Sequence, residues 1–514
     1  MKKNLFFGML ICLAFAACSS DEETVVNPDA EEGGKYIAIN IVNPAGTRGT
    51  STGFDSGKGT ESTISNTLLL FYKEDGTLLT AATPSPLSYS GSGNSNVEQV
   101  SAAITYLTPS QTGADLPSHI VALLNTDLTA DAINTDKTNY SLEKLENLID
   151  NYSSTSSFVM SNSVYSASNG DGAATVNATP VQPGNFQASA ILAEANPVDI
   201  YVERVLAKVK VTNTNGTEGI TSSEATNKPL FNNGSILEEK TIFPVVTGYH
   251  LAATSKTSYL LKSLDFTTTW PKASWNDITN KRSYWAKSAT TEYDYNPYTT
   301  SYTTQTMYCQ ENTSTTKTTL VALAQLKSGS ATGPDMGSFV KHGGFYYMKT
   351  DYLTNAASFL KTNKFTHTSS DSDWNNYIEV KKSEKSGAKP WEVTIQLTED
   401  GEDLTNIQQD GTGSTAGAIN TLLNENFGGA WMWTDGKAYF YVPIEHFGTE
   451  DAAKGVVRNH AYELTINEVK GLGTPVFDPD ENIVPDKPID NESSISARIN
   501  VLKWRVVSQS VTLE

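Results

Sequence analysis

Three cysteines and six histidines in 514 residues decide which chemistry this chain can offer. The histidines His119, His250, His342, His367, His446 and His460 are scattered, and none stands at metal-ligand spacing from another. No G-x-S-x-G nucleophile elbow, G-x-x-x-x-G-K phosphate loop or H-E-x-x-H zinc motif occurs. Arg458-Asn459-His460 enters an apparent strand and reads as hydrogen-bonded core or loop rather than as catalysis. Trp431 with Trp433, Trp270 with Trp275, and Tyr284 with Trp285 could stack on sugar rings, but such rings more often fill β cores. The acidic stretch from Asp478 to Asp490 lacks the spacing of a calcium loop, and its prolines make it a solvated connector. A glycosidase needs only two carboxylates, so that class has no motif to fail. No catalytic residue, metal ligand or cofactor is expected, and the chain is not read as an enzyme.

Two other chemistries have better credentials. Lys2 and Lys3 precede an apolar run from Leu5 to Ala17, the pattern of a secretory signal. The run ends in Phe15-Ala16-Ala17-Cys18, which is similar to a bacterial lipobox with Phe where Leu is usual. Cys18 is therefore the candidate for lipidation, and acyl chains worth about 0.8 kcal/mol per buried methylene would hold the precursor on a membrane. Ser19-Ser20-Asp21-Glu22-Glu23 follows as an acidic tether. With Cys12 in the signal and Cys18 lipidated, Cys309 has no disulfide partner, and it reads as a small buried strand residue. The second chemistry is proteolysis. Asn43 to Gly53 is a run of small polar residues containing a single Arg, Arg48, followed by Gly49. Exposed loops of that composition are where proteases cut.

The elements around these residues are mostly strands. Lys35 to Val42 places Ile37, Ile39 and Ile41 on one face of an extended strand, isolated in sequence from the rest. Thr67 to Tyr72 and Thr77 to Leu79 form a hairpin with Asp75-Gly76 in its turn. Ile120 to Asn125 reads as a buried strand, and Ile200 to Val211 as one long alternating strand. Ser141 can cap a helix running to Ile149. Further strands are expected at 319–326, 391–397, 438–444 and 461–469, and helical spacing appears at 256–264 and 349–360. Near the C-terminus the apolar phase breaks twice, around Val501 and Val506. Either bulges intervene there or two segments serve different sheets.

Composition excludes whole classes. Charged residues are only 18% of the chain, too few for a coiled coil or helical array. A net charge of −20 argues against a nucleic-acid partner, which requires clustered Lys and Arg. A large, β-rich, exported protein remains.

Several stretches, in order, resemble the fimbrillins, or type V pilins, of Bacteroidales. They are 117–125 (PSHIVALLN), 158–163 (FVMSNS), 197–205 (PVDIYVERV), 282–286 (RSYWA), 308–313 (YCQENT), 455–462 (GVVRNHAY) and 504–509 (WRVVSQ). The resemblance implies a mainly β fold of two β-sandwich (transthyretin-like) domains with long loops and a few short helices. It implies a signal peptide over 1–18, a propeptide over 19–48, β-sandwich domains over 49–215 and 216–494, and a C-terminal strand appendage over 495–514. An Arg-specific protease would cut between Arg48 and Gly49 and remove the strand carrying Ile37, Ile39 and Ile41. The vacated groove would accept Val507, Val511 and Leu513 from an identical or related subunit. The implied product is a cell-surface fimbria supporting adhesion and biofilm formation, built from an outer-membrane lipoprotein precursor and able to meet host or bacterial receptors. A surface glycan-binding lipoprotein and an exported glycosidase are the competing readings. Both would retain residues 1–48.

Overall fold

The computed structural model describes residues 34–44, 61, 63–91, 98–108, 116–163, 165–166, 175–213, 228–262, 288–289, 292–299, 306–369, 372–446, 455–486, 494–503 and 506–508. The described chain is mainly β, with several sheets and a few helices, most of them short.

Strands β1 (Lys35–Pro44), β2 (Thr67–Tyr72), β3 (Leu78–Ala82), β4 (Ser85–Gly91), β5 (Glu98–Leu107), β6 (His119–Leu124), β7 (Met160–Asn162) and β8 (Val198–Arg204) form the first body. Their order is β3-β2-β6-β7-β8-β1-β5-β4, with residues 179–180 pairing β6 from the side. Ile37, Ile39 and Ile41 share one core with Leu69, Phe71, Ile120 and Leu124, which lie several strands away in that order. The sheet therefore folds over on itself, and β-branched residues at alternate positions supply its interior. The β2–β3 hairpin forms at its predicted place: Lys73 donates its backbone N–H to Thr77, and Gly76 sits at φ 78°, a left-handed conformation that glycine adopts without penalty.

One residue, Val205, separates β8 from β9 (Leu206–Asn213). The expected single strand over 200–211 is thus two strands, and sheet membership changes between them. β9 pairs β11 (Thr306–Gln310) and β19 (His460–Lys470), and β19 continues to β20 (Ser494–Lys503) and β21 (Val506–Ser508). A four-stranded sheet faces it, built from β10 (Ile242–Ala252), β12 (Thr319–Ser328), β18 (Lys437–Pro443) and residues 474–475. Val209, Cys309 and Leu464 from one sheet meet Leu251, Leu320 and Val442 from the other in a single core, which makes a β-sandwich. A further sheet places β13 (Phe339–His342), β14 (Phe345–Met348), β15 (Ile378–Lys382), β16 (Glu392–Leu397) and β17 (Ala430–Trp433) in the order β14-β13-β17-β16-β15.

Helix α1 (Ala130–Thr135) packs beside β3, and α2 is Leu142–Glu146. Ser141 Oγ accepts from Lys144 N, as expected, but the helix stops at Glu146 instead of reaching Ile149. Ile149 pairs Tyr259 across strands and Asp150 pairs Ser258, so extended pairing overrides the local apolar period. The same pairing corrects the helical reading of 256–264: residues 258–259 are a strand, and Leu260 N donates to Leu148 O. α3 is Ala190–Glu194, α4 (Lys349–Thr362) forms where 349–360 was expected, and α5 is Ala416–Phe427. α4 and α5 bury Tyr352, Leu360, Ile419 and Leu423 against β13, β16 and β17.

The C-terminal phase break has a different cause from either expectation. β20 and β21 lie antiparallel in one sheet, with Val501 opposite Val507, so the chain reverses between them. The two segments do not serve different sheets.

Candidate functional site

The strand that opens the described chain is an interior strand. β1 pairs β5 antiparallel from Lys35↔Leu107 to Pro44↔Glu98, and it pairs β8 in parallel from Ile39↔Val198 to Val42↔Tyr201. Ile37, Ile39 and Ile41 are no more than 2% exposed. At about 1.5–3 kcal/mol for each aliphatic side chain, their burial contributes about 5–9 kcal/mol. At the N-terminal end, Tyr36 and Gln187 exchange both backbone hydrogen bonds at 2.8 Å, and the Tyr36 and Tyr106 rings lie 4.9 Å apart. Midway, Asn40 Nδ2 donates to Asp199 Oδ1 at 2.9 Å. Helix α3 packs on β1 with Ala193 buried while Ile191 and Leu192 face outward. Taking β1 away would leave β5 and β8 with facing rows of unpaired backbone groups over an apolar trough.

That geometry carries a stability prediction. Ile39→Ala should destabilise the unprocessed chain by about 2–5 kcal/mol, the usual range for emptying a core site. Urea denaturation of the unprocessed wild type and variant checks this, and an unchanged midpoint would show that Ile39 contributes nothing to the core.

Of the other residues singled out in the sequence, Cys18, Arg48, Gly49, Val511 and Leu513 lie outside the described residues. Val507 is in β21, which among the described residues ends its sheet and pairs β20 at three positions, 500↔508, 501↔507 and 502↔506.

A charged cluster that sequence reading missed lies where the two bodies meet. Glu61 is 1% exposed, and its Oε1 lies 3.0 Å from Lys208 Nζ on β9. Tyr308 Oη on β11 donates to the same carboxylate, and Arg204 Nε donates to the Glu61 backbone carbonyl at 2.5 Å. The chain leaving β1 at Pro44 is thus anchored again at Glu61, to both bodies. Arg458 is fully buried and donates to Glu311 Oε1 from Nε at 3.2 Å and from Nη2 at 2.9 Å. Its Nη1 reaches Leu260 O at 3.0 Å, and its Nη2 reaches Ser258 Oγ at 3.1 Å and Tyr259 O at 2.6 Å. Asn459 adopts φ 56° and donates its N–H to Leu206 O, while His460 Nδ1 meets Arg458 O at 2.7 Å. Arg458-Asn459-His460 is hydrogen-bonded core, as its sequence suggested. Glu61 and Glu311 left no local signal, because their partners are more than a hundred residues away.

The described aromatic pair, Trp431 with Trp433, serves packing. Trp433 is 1% exposed and stacks on Phe339 at 4.8 Å, while Lys341 Nζ sits 4.6 Å above the Trp431 ring. A ring face occupied by an ammonium offers no platform for a sugar. Trp270, Trp275, Tyr284 and Trp285 lie outside the described residues. In the acidic loop, Glu481 pairs Lys382 and Asp486 pairs Lys389. Burial pushes the Cys309 thiol up to about 12, which leaves it an inert core residue.

Residues 432–510 match the family model for the C-terminal region of the major fimbrial subunit protein type IV, fimbrillin. That match takes in β18 to β21 and Val507. No curated protein matches the sequence. Among solved structures, a candidate cell adhesion protein of Parabacteroides distasonis ATCC 8503 aligns with a TM-score of 0.36 and 12% identity, over 91% of this chain and 96% of its own. The C-terminally truncated tip fimbrial protein of Porphyromonas gingivalis aligns with a TM-score of 0.32 and 10% identity, over 92% of this chain and 100% of its own. A fimbrial assembly protein of Parabacteroides distasonis ATCC 8503 aligns with a TM-score of 0.29 and 11% identity, over 73% of this chain and 98% of its own.

Proposed function

We propose that this fimbrillin-type chain is a structural subunit of a cell-surface fimbria, polymerising by strand exchange after its N-terminal strand is removed. One observation carries the reading: β1 is buried on its apolar face and paired on both edges, yet no described strand precedes it. Cutting the chain after Arg48 would therefore free an interior strand without severing any other element from its neighbours. The vacated site is a β-augmentation groove, in which backbone bonds supply affinity and alternate side chains supply register. The proposed occupant is the segment carrying Val507, Val511 and Leu513 from another subunit. Among the described residues β21 meets β20 at three ladder positions, a short pairing to give up on exchange.

The proposed organisation is a signal peptide over 1–18, a propeptide over 19–48, two β domains and a C-terminal strand appendage over 495–514, with the expected division at 215/216 moved here to Leu206 because β9 pairs β11 and β19. An Arg-specific protease, an outer-membrane lipid anchor in the precursor, and adhesion receptors belong to this proposal. The test is N-terminal sequencing of material sheared from cells, combined with electron microscopy. Fibres whose subunits begin at Gly49 support the reading; a surface protein that keeps Cys18 at its N-terminus overturns it.

Lipidation of the precursor has its own readout. A clickable fatty acid should label the wild-type precursor and leave Cys18→Ala dark, because the thiol is the acceptor. Equal labelling of both would remove Cys18 from the account.

A further inference from the structure

Glu203 on β8 and Lys262 are 0% and 1% exposed in their side chains, and Lys262 Nζ lies 3.5 Å from Glu203 Oε2. Among the described residues neither the Glu203 oxygens nor Lys262 Nζ has a hydrogen-bond partner. Beside them Arg458 uses every arm, on Glu311, Ser258, Tyr259 and Leu260. Native interiors rarely leave buried charges so thinly satisfied, and each such group calls for an explanation.

The surroundings hold the two groups in place. Leu260 O accepts from Ser161 Oγ at 2.7 Å and from Arg458 Nη1 at 3.0 Å, and Leu260 N donates to Leu148 O. Leu260 and Leu261 are buried in the first body's second core with Val121, Leu123 and Val205. Lys262 is thus presented to Glu203 by a segment with little freedom. Near Glu203 the other titratable groups are Glu311 and Arg458, and burial holds its carboxyl above the usual carboxylate range.

We propose that Glu203 and Lys262 condense to an amide, a self-formed cross-link between β8 and the segment 258–262 that follows β10. Transfer of the ammonium proton to the carboxylate leaves two neutral groups, which an apolar site favours over separated charges. The nitrogen lone pair attacks Cδ, the carbon–hydroxyl bond breaks, and the hydroxyl leaves as water with a proton from nitrogen. One N–C bond forms and one C–O bond breaks, with no oxidant or co-reactant. The product replaces two orphaned charges by a neutral amide. It also ties β8, the parallel partner of β1, to the segment that follows β10 by a bond additional to the backbone at Val205. This proposal stands apart from the strand-exchange reading.

Intact-mass spectrometry of the full chain in denaturant is the test. The expected mass is one water below that of the unmodified chain, with a branched peptide joining Glu203 to Lys262 after digestion. Lys262 should resist acetylation in denaturant while Lys208 is labelled. Lys262→Arg should recover the full mass. An unmodified wild-type mass with Lys262 acetylated overturns the proposal and leaves a plain ion pair. Loss of water in both wild type and Lys262→Arg also overturns it, by placing the dehydration elsewhere. Should the variant fail to fold, the wild-type mass and branched peptide alone decide.

Discussion

Arg48→Ala is expected to give a folded, lipidated monomer that forms no fibres. β1 competes for its own groove as part of the same chain, re-entering it through the tether between Pro44 and Glu61. A tether of that length gives an effective concentration on the order of mM. Against subunits at about 1 μM the advantage is about a thousandfold, or about 4 kcal/mol, before any difference in side-chain fit. Cleavage removes this advantage and lets the old strand leave. Size-exclusion chromatography and negative-stain imaging of the wild type and the variant, after identical protease exposure, provide the measurement. Polymer from Arg48→Ala at the wild-type level would show that cutting at this site is not the trigger.

Replacing Val511 and Leu513 together by Asp should abolish fibres while the monomer melts as before. The core that β1 fills includes Leu69, Phe71, Ile120, Met160 and Ile200, an apolar set. Each buried charge without a partner costs several kcal/mol, enough to cancel the gain from filling the groove. If the segment fills a neighbour's groove as proposed, the monomer should change by no more than about 0.5 kcal/mol, the usual range for surface substitutions. Thermal melting of the monomer beside electron micrographs of the assembled material separates the two effects. A variant that unfolds as a monomer would make this segment an intramolecular core strand.

Much of the local architecture was legible because it rests on short-range rules. The alternation of Ile37, Ile39 and Ile41, the Asp75-Gly76 turn and the Ser141 cap each involve neighbours within a few residues. The failures lie where long-range pairing outbid a local signal. Ile149 continues an apolar helical period, yet extended pairing with Tyr259 stops α2. Ile200 to Val211 reads as one alternating strand, but its apolar phase moves from Ile200 and Val202 to Val205, Ala207, Val209 and Val211, and there the chain passes from the sheet of β1 into the sheet of β19.

The sequence alone determined that β1 is an apolar strand set apart by a segment with one Arg, and that no recognised catalytic or metal motif is present. Those are properties of residue type and spacing, which need no tertiary partner to be read. Only the tertiary structure decided that β1 is interior, between β5 and β8, and that β21 folds back on β20 within one sheet. It alone brought Glu61 to Lys208, Glu311 to Arg458 and Glu203 to Lys262. Pairings across 59 to 147 residues follow from how whole sheets close around a core, and no local pattern of charge encodes them.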